Sequence, residues 1–270
     1  MKTIKTYIVD SFTDEAFKGN PAGVCLLESE LDERTMLSIA NELGFSETAF
    51  VLLNESADHY KIRYFSPKME IPLCGHATMA ASKVLFNLYR SSSLTFETIE
   101  TKTLPIHLMG DLIEMEFPVY ELVKVNASNA LMKALGISQR INSEYNSETN
   151  ILLLEISSAD TLKNLNPDFQ KLIASHDTIN GVLVTAKSDD PKYDFYSRYF
   201  WPWSGTNEDP VTGGTHTFLA KYWSDRLGKK TLHSFQCSER SGFMEVELSD
   251  DNTVFIRGKA ISILEGQLNI

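Results

Sequence analysis

Leu73-Cys74-Gly75-His76-Ala77-Thr78-Met79-Ala80-Ala81-Ser82 and Thr212-Gly213-Gly214-Thr215-His216-Thr217-Phe218-Leu219-Ala220-Lys221 follow one pattern. Each sets a glycine-bearing turn ahead of an apolar helix. Placing Gly75 on Gly214 also places Thr78 on Thr217 and Ala81 on Ala220. The spacing predicts helices over about 75–89 and 214–227, each entered from a strand and a loop. Identities this sparse gain weight because they fall at the same point of both halves. They predict an α+β chain of two pseudo-symmetric domains.

The surrounding sequence fits that frame. Ahead of the first turn, alternation predicts strands over 3–12, 22–27, 49–53 and 59–65, with a helix over 31–43 stopped by Gly44. After it come strands over 94–100, 104–109 and 112–117, and Pro118 closes a first domain. The second half predicts helices over 129–135 and 167–175. Its strands are expected over 150–156, 181–186, 194–200, 242–248 and 253–259, before an apolar tail over 260–270.

The 270 residues carry 25 Lys and Arg against 36 Asp and Glu, a net charge of −11. That balance repels phosphate backbones and anionic lipid, so neither nucleic acid nor membrane is the expected partner. The longest aliphatic run, Ile151 to Leu154, is far short of the roughly 18 residues of a membrane helix. Three separated cysteines (Cys25, Cys74, Cys237) form no disulfide framework and predict a reducing, cytoplasmic setting. The expected partner is a small molecule.

Chemistry is expected at the two turns and near a lone glutamate. The first N–H groups of a helix lack intrahelical partners, and the helix dipole adds positive potential there. Glycine admits a ligand close to those groups, so a carboxylate can be held without Arg or Lys; simple capping and close packing is the other reading. Glu47, between Phe45 and Phe50, is either a desolvated acid–base group or a solvated loop residue. His76, in a first helical turn, is disfavoured as imidazolium and can relay a proton, or else it packs. Asp209 precedes the second helix, where Asp is also a common cap. Cys74 lacks a second thiol near Gly213 or Gly214 and reads as a small packing residue. The aromatic run Tyr199, Phe200, Trp201, Trp203 reads as core or as a pocket wall. The sequence lacks metal-ligand spacing, a dinucleotide fingerprint, a phosphate loop and a nucleophile elbow, so no metal and no cofactor are expected.

Taken in order, six blocks resemble the PhzF (phenazine biosynthesis-like) family, which shares the diaminopimelate-epimerase fold. They are Val9-Asp10-Ser11-Phe12, Phe17-Lys18-Gly19-Asn20-Pro21-Ala22-Gly23-Val24, Gly44-Phe45-Ser46-Glu47-Thr48-Ala49-Phe50, Arg63-Tyr64-Phe65-Ser66-Pro67 with Glu70, Leu73 to Thr78, and Glu208 to His216. The resemblance implies two domains, 1–118 plus 260–270 and 119–259, each a mixed barrel-like sheet around a central helix. It places the site in the cleft between them and implies a homodimer and a biosynthetic role. By the same resemblance Glu47 is the general acid/base, with His76 and Asp209 in support. Asn20, Ser46, Gly75, Ala77, Thr78, Gly213, Gly214 and Thr215 are the implied substrate-binding positions. The family commonly has Ser where this chain has Gly214, which removes one hydroxyl donor. The implied activity is a cofactor-independent isomerase acting on a small, carboxylated, cyclic or acyclic metabolite. An amino-acid racemase or epimerase, and a non-catalytic binding protein using the same cleft, are the competing readings.

Overall fold

Asp32 opens the first helix by accepting the Thr35 N–H at 3.0 Å, and Gly44 closes it in the left-handed region at φ 70°. A side chain is strained at that φ, so Gly is the residue suited to the stop. Such local signals set a chain of elements in a computed structural model that describes residues 2–53, 58–249 and 252–270. In order these are β1 (Thr3–Ser11), β2 (Asn20–Leu27), α1 (Glu33–Leu43), β3 (Thr48–Leu52), β4 (His59–Phe65), β5 (Glu70–Ile71), α2 (Gly75–Tyr89), β6 (Ser93–Glu97), β7 (Thr103–Met109) and β8 (Leu112–Pro118). Next come β9 (Val123–Lys124), α3 (Asn129–Leu135), β10 (Asn142–Asn146), β11 (Ile151–Glu155), α4 (Ala159–Lys163), α5 (Phe169–Ala174), β12 (Gly181–Lys187), β13 (Phe195–Trp201) and β14 (Thr206–Asp209). A 3₁₀ turn over Gly213–Thr215 leads into α6 (His216–Leu227), followed by β15 (Thr231–Gln236), β16 (Gly242–Leu248), β17 (Thr253–Gly258) and β18 (Ala260–Asn269). Among the described residues no helix is long and apolar enough to cross a membrane.

Two compact units result, Met1–Glu116 with Phe255–Ile270, and Phe117–Val254. The divisions fall at 116/117 and 254/255, where the resemblance implies 118/119 and 259/260. Arg257 Nε donates to Glu114 Oε2 at 2.6 Å, which ties the end of β17 to the first unit. The 260–270 tail is a strand, β18, pairing antiparallel with β1 from Thr3↔Asn269 to Ser11↔Ala260.

In the first unit α2 packs against β1, β2, β3 and β18. Its residues 76–82 and 84–86 are buried, so the helix is apolar on nearly all sides, as a central helix must be. β2 pairs with β3 in parallel, β3 with β4 antiparallel, β4 with β5 antiparallel, β4 with β6 in parallel, and β6 with β7 antiparallel.

The second unit repeats that order. β11 and β12 are parallel, β12 and β13 antiparallel, β13 and β14 antiparallel, β13 and β15 parallel, and β15 and β16 antiparallel. The register fixes which residues correspond. Phe65↔Glu70 matches Phe200↔Glu208, and Arg63 grips Glu70 as Arg198 grips Glu208, each through two hydrogen bonds. The offset that carries Glu70 to Glu208 also carries the left-handed helix cap Arg90 to Gly228. It therefore carries Gly75 to Gly213, His76 to Gly214 and Thr78 to His216. The sequence alignment of Gly75 with Gly214 was one residue out, because a second glycine and two chance matches, Thr78 with Thr217 and Ala81 with Ala220, favoured the shifted register.

His216 is fully buried in the second unit. Its Nδ1 lies 3.1 Å from the Thr212 carbonyl, which can only accept, so Nδ1 carries the proton and Nε2 faces Ser234 Oγ at 3.0 Å. Burial pushes its pKa down to about 4, with the carbonyls of Thr212 and Gly213 opposing. The folded protein thus keeps this ring neutral where the unfolded chain, titrating near 6.5, takes up a proton. Its contribution is complete above pH about 6.5 and is lost as pH falls toward 4, by at most about 3 kcal/mol. Comparing unfolding free energies of the wild type and His216→Gln between pH 7 and 4.5 should show their difference shrinking with acid. Parallel profiles would refute the assignment.

Candidate active site

Glu47 is the residue immediately before β3, its carbonyl accepting the Gly23 N–H at 3.3 Å. With β3 held between β2 and β4, the Glu47 side chain is only 12 % exposed. Its Oε2 lies 3.4 Å from Nε2 of His76, itself 9 % exposed. Ser46 Oγ is 3.5 Å from the same nitrogen. Cys74 Sγ lies beside the ring, 3.3 Å from Nδ1 and 3.9 Å from Nε2. Ser11 Oγ donates to the His76 carbonyl at 2.8 Å, which fixes the first turn of α2.

Cys74 holds the N-cap of α2 in extended backbone, φ −142° and ψ 112°, and its side chain makes no cap hydrogen bond. The first-turn N–H groups of Gly75, His76 and Ala77 therefore lack the side-chain acceptor that Ser, Asp or Asn would give. Burial pushes the His76 pKa below the usual imidazole range, and the nearby Glu47 carboxylate opposes it. The ring is neutral, and its two nitrogens face an acid and a thiol.

Thr78, another predicted position of this unit, has settled structural partners. Thr78 Oγ1 donates to the Cys74 carbonyl at 2.7 Å and lies 2.6 Å from Tyr64 Oη. Asn20 is buried at the start of β2, opposite Ser11. Cys74 is buried, as a small packing residue is, and its sulfur also touches the polar cluster. Glu47, Cys74 and His76 each offer a ligand-type atom, all within 4.8 Å of one another. Their sequence spacing gave no sign of such a donor set, since Glu47 joins only through strand pairing.

In the second unit Asp209 ends β14. Its Oδ2 accepts a short hydrogen bond from Thr212 Oγ1, and its carbonyl accepts Gln236 Nε2 at 2.8 Å. Gln236 Oε1 in turn accepts the Thr212 N–H at 2.9 Å. Thr215 is buried, its hydroxyl donating to the Thr212 carbonyl at 2.9 Å. Gly213 is buried and Gly214 exposed; a Cβ built at Gly214 meets nothing within 4 Å. The position that commonly carries Ser in the resembling family has room for it here. Gln236 escaped the sequence reading because it sits on a distant strand. The aromatic run resolves as packing: Phe200 lies in the core, and Trp203 packs on it while donating Nε1 to the His176 carbonyl at 2.8 Å.

A family model described as phenazine biosynthesis-like protein, PhzC-PhzF, matches residues 9–266. The chain belongs to the PhzF family. A PhzF-family crystal structure from Enterococcus faecalis is 36% identical, with a TM-score of 0.92 and 100% of both chains covered. A protein of Halalkalibacterium halodurans named as an uncharacterized isomerase is 40% identical over 275 residues, covering 99% of each chain. A hydroxyproline epimerase from Agrobacterium vitis, 10% identical with a TM-score of 0.59 over 98% of this chain and 92% of its own, shares the fold.

Within this PhzF-family chain the fold is repeated but the Glu47–Cys74–His76 cluster is not. Thr48↔Phe65 in β3 and β4 corresponds to Val182↔Phe200 in β12 and β13, so Glu47 corresponds to Gly181. A Cβ at Gly181 would stand 2.6 Å from the Tyr199 ring, which fills the space the acid has in the first unit. Cys74 and His76 correspond to Thr212 and Gly214. The second unit instead carries Asp209, where the first has Ile71. Two copies of one scaffold have been given different chemistry.

Proposed function

We propose that this chain is an isomerase that moves a proton between carbons of a small carboxylated metabolite, with Glu47 as general acid/base. The observation that supports it most is Glu47 Oε2 at 3.4 Å from the buried Nε2 of His76, beside a helix start without a side-chain cap. A carboxylate in a shielded site can take a proton from an activated carbon and return the same proton elsewhere before water exchanges it. The neutral imidazole serves as the positioning and relay group for Glu47. The N–H groups of Gly75, His76 and Ala77 are the proposed donors to the substrate carboxylate, meeting the charge that develops without an added cofactor. In the second unit Asp209 is the proposed further proton-handling residue. Gly213, Gly214 and Thr215 supply further backbone donors. The isomerase name of the H. halodurans relative supports the same reaction class.

The test is a thermal-shift screen against small carboxylates, followed by NMR of each stabilising compound incubated with the protein in D₂O. The expected result is a compound that both raises Tm and converts to a positional isomer. Deuterium entering one stereocentre without a shifted double bond would replace the reading with racemisation or epimerisation. Binding with no change at any C–H would replace it with a non-catalytic binder.

A further inference from the structure

We propose that Glu47, Cys74 and His76 form a thiolate-bearing transition-metal site that takes Zn²⁺ and, when filled, holds the protein inactive. The cluster supplies one oxygen, one sulfur and one nitrogen donor, the set that suits a borderline-soft divalent ion rather than Mg²⁺ or Ca²⁺. With zinc bonds of about 2.0–2.3 Å to these atoms, the ligand atoms of a tetrahedral site stand roughly 3.4–3.6 Å apart. Here His76 Nε2 is 3.4 Å from Glu47 Oε2 and 3.9 Å from Cys74 Sγ. All three ligand atoms fall within 4.8 Å of one another, and because Sγ also lies 3.3 Å from Nδ1, a turn of the Cys74 side chain toward Nε2 is the movement that closes the site. The donors are carried on rigid backbone, Glu47 at the entry to β3 and the other two at the start of α2. Water completes the fourth position.

Charge also balances. Zn²⁺ enters as the thiol proton of Cys74 departs to solvent, so one thiolate and one carboxylate cancel the two positive charges. A buried site is left without uncompensated charge, which is the condition for burying ions at all. Metal binding requires only the donor set. The inactivation, by contrast, rests on the proposed acid–base role of Glu47, whose oxygen the metal would occupy.

The experiment adds Co²⁺ to the chelator-treated full chain, then displaces it with Zn²⁺. One Co²⁺ per chain is expected, with a thiolate-to-cobalt charge-transfer band in the near ultraviolet that Zn²⁺ abolishes. Cys74→Ser should lose the band and weaken Zn²⁺ binding at least about 100-fold, more than loss of an outer-shell partner costs. Cys237→Ser, altering a partly accessible thiol away from the cluster, should keep both. A band that follows Cys237, or Co²⁺ bound without any thiolate band, overturns the site. Should Cys74→Ser fail to fold by circular dichroism, Glu47→Gln decides: it should keep the band and weaken Zn²⁺ binding, and unchanged affinity overturns the site. Zinc bound at the cluster with turnover unaffected would instead sink the acid–base role of Glu47.

Discussion

Glu47→Gln lowers the rate of proton transfer by about 10²–10⁴-fold while leaving the fold and carboxylate binding intact. The substitution keeps the shape of the side chain and its position before β3, and it removes the one property the mechanism needs, the capacity to take and return a proton. Anion binding is assigned to backbone N–H groups of α2, which the change does not touch. The ligand found by thermal shift should therefore stabilise the variant as it does the wild type, and its conversion to the positional isomer should nearly vanish. His76 makes a useful companion. Its ring bridges Glu47 at 3.4 Å and Cys74 at 3.3 Å, so His76→Asn should leave residual conversion rather than none. A Glu47→Gln variant with near wild-type conversion would move the chemistry elsewhere, and Asp209 would be the next residue to test.

The sequence made the first unit legible because its signals are local. α2 was bounded at 75–89 by a glycine at one end and by apolar residues on all sides, and the structure gives the same limits. β15 was missed for a physical reason: alternation is present, but two of its inward positions are Ser234 and Gln236. Those polar side chains face inward because they serve the buried His216 and the Asp209–Thr212 turn. β10, Asn-Ser-Glu-Tyr-Asn, hides in the same way. A strand whose inner face is chosen for hydrogen bonding does not look like a strand to hydrophobic periodicity. The repeat was visible but one residue out of register, since only paired strands reveal that Glu47 and Gly181 occupy one position. The Cys74–His76 adjacency was local, yet its meaning depended on Glu47 arriving through β2, β3 and β4.

Arg198→Ala costs about 3–5 kcal/mol of stability, much more than Arg63→Ala at the corresponding place in the first unit. Both arginines grip a glutamate through two hydrogen bonds and lie over a phenylalanine two residues on, Phe200 at 4.9 Å and Phe65 at 5.2 Å. Their surroundings differ. Arg198 is 11 % exposed and its Nη1 donates to the Leu165 carbonyl at 2.6 Å, with the carbonyls of Leu162 and Lys163 each 3.3 Å away. It thus satisfies the C-terminal end of α4 as well as Glu208, which is itself 18 % exposed. Removing it leaves a shielded carboxylate without its counter-charge and takes the guanidinium donor from the Lys163 and Leu165 carbonyls. Arg63 is 27 % exposed, its further charge partner is the exposed Glu33 at 3.8 Å, and water can replace what it gives. Denaturant unfolding of the two variants at neutral pH measures the contrast. Arg198→Met with Glu208→Leu should regain part of the loss, because the double change removes the stranded charge and leaves only the carbonyls to be satisfied. Equal, sub-kilocalorie losses in both single variants would mean that water reaches the second pair as freely as the first.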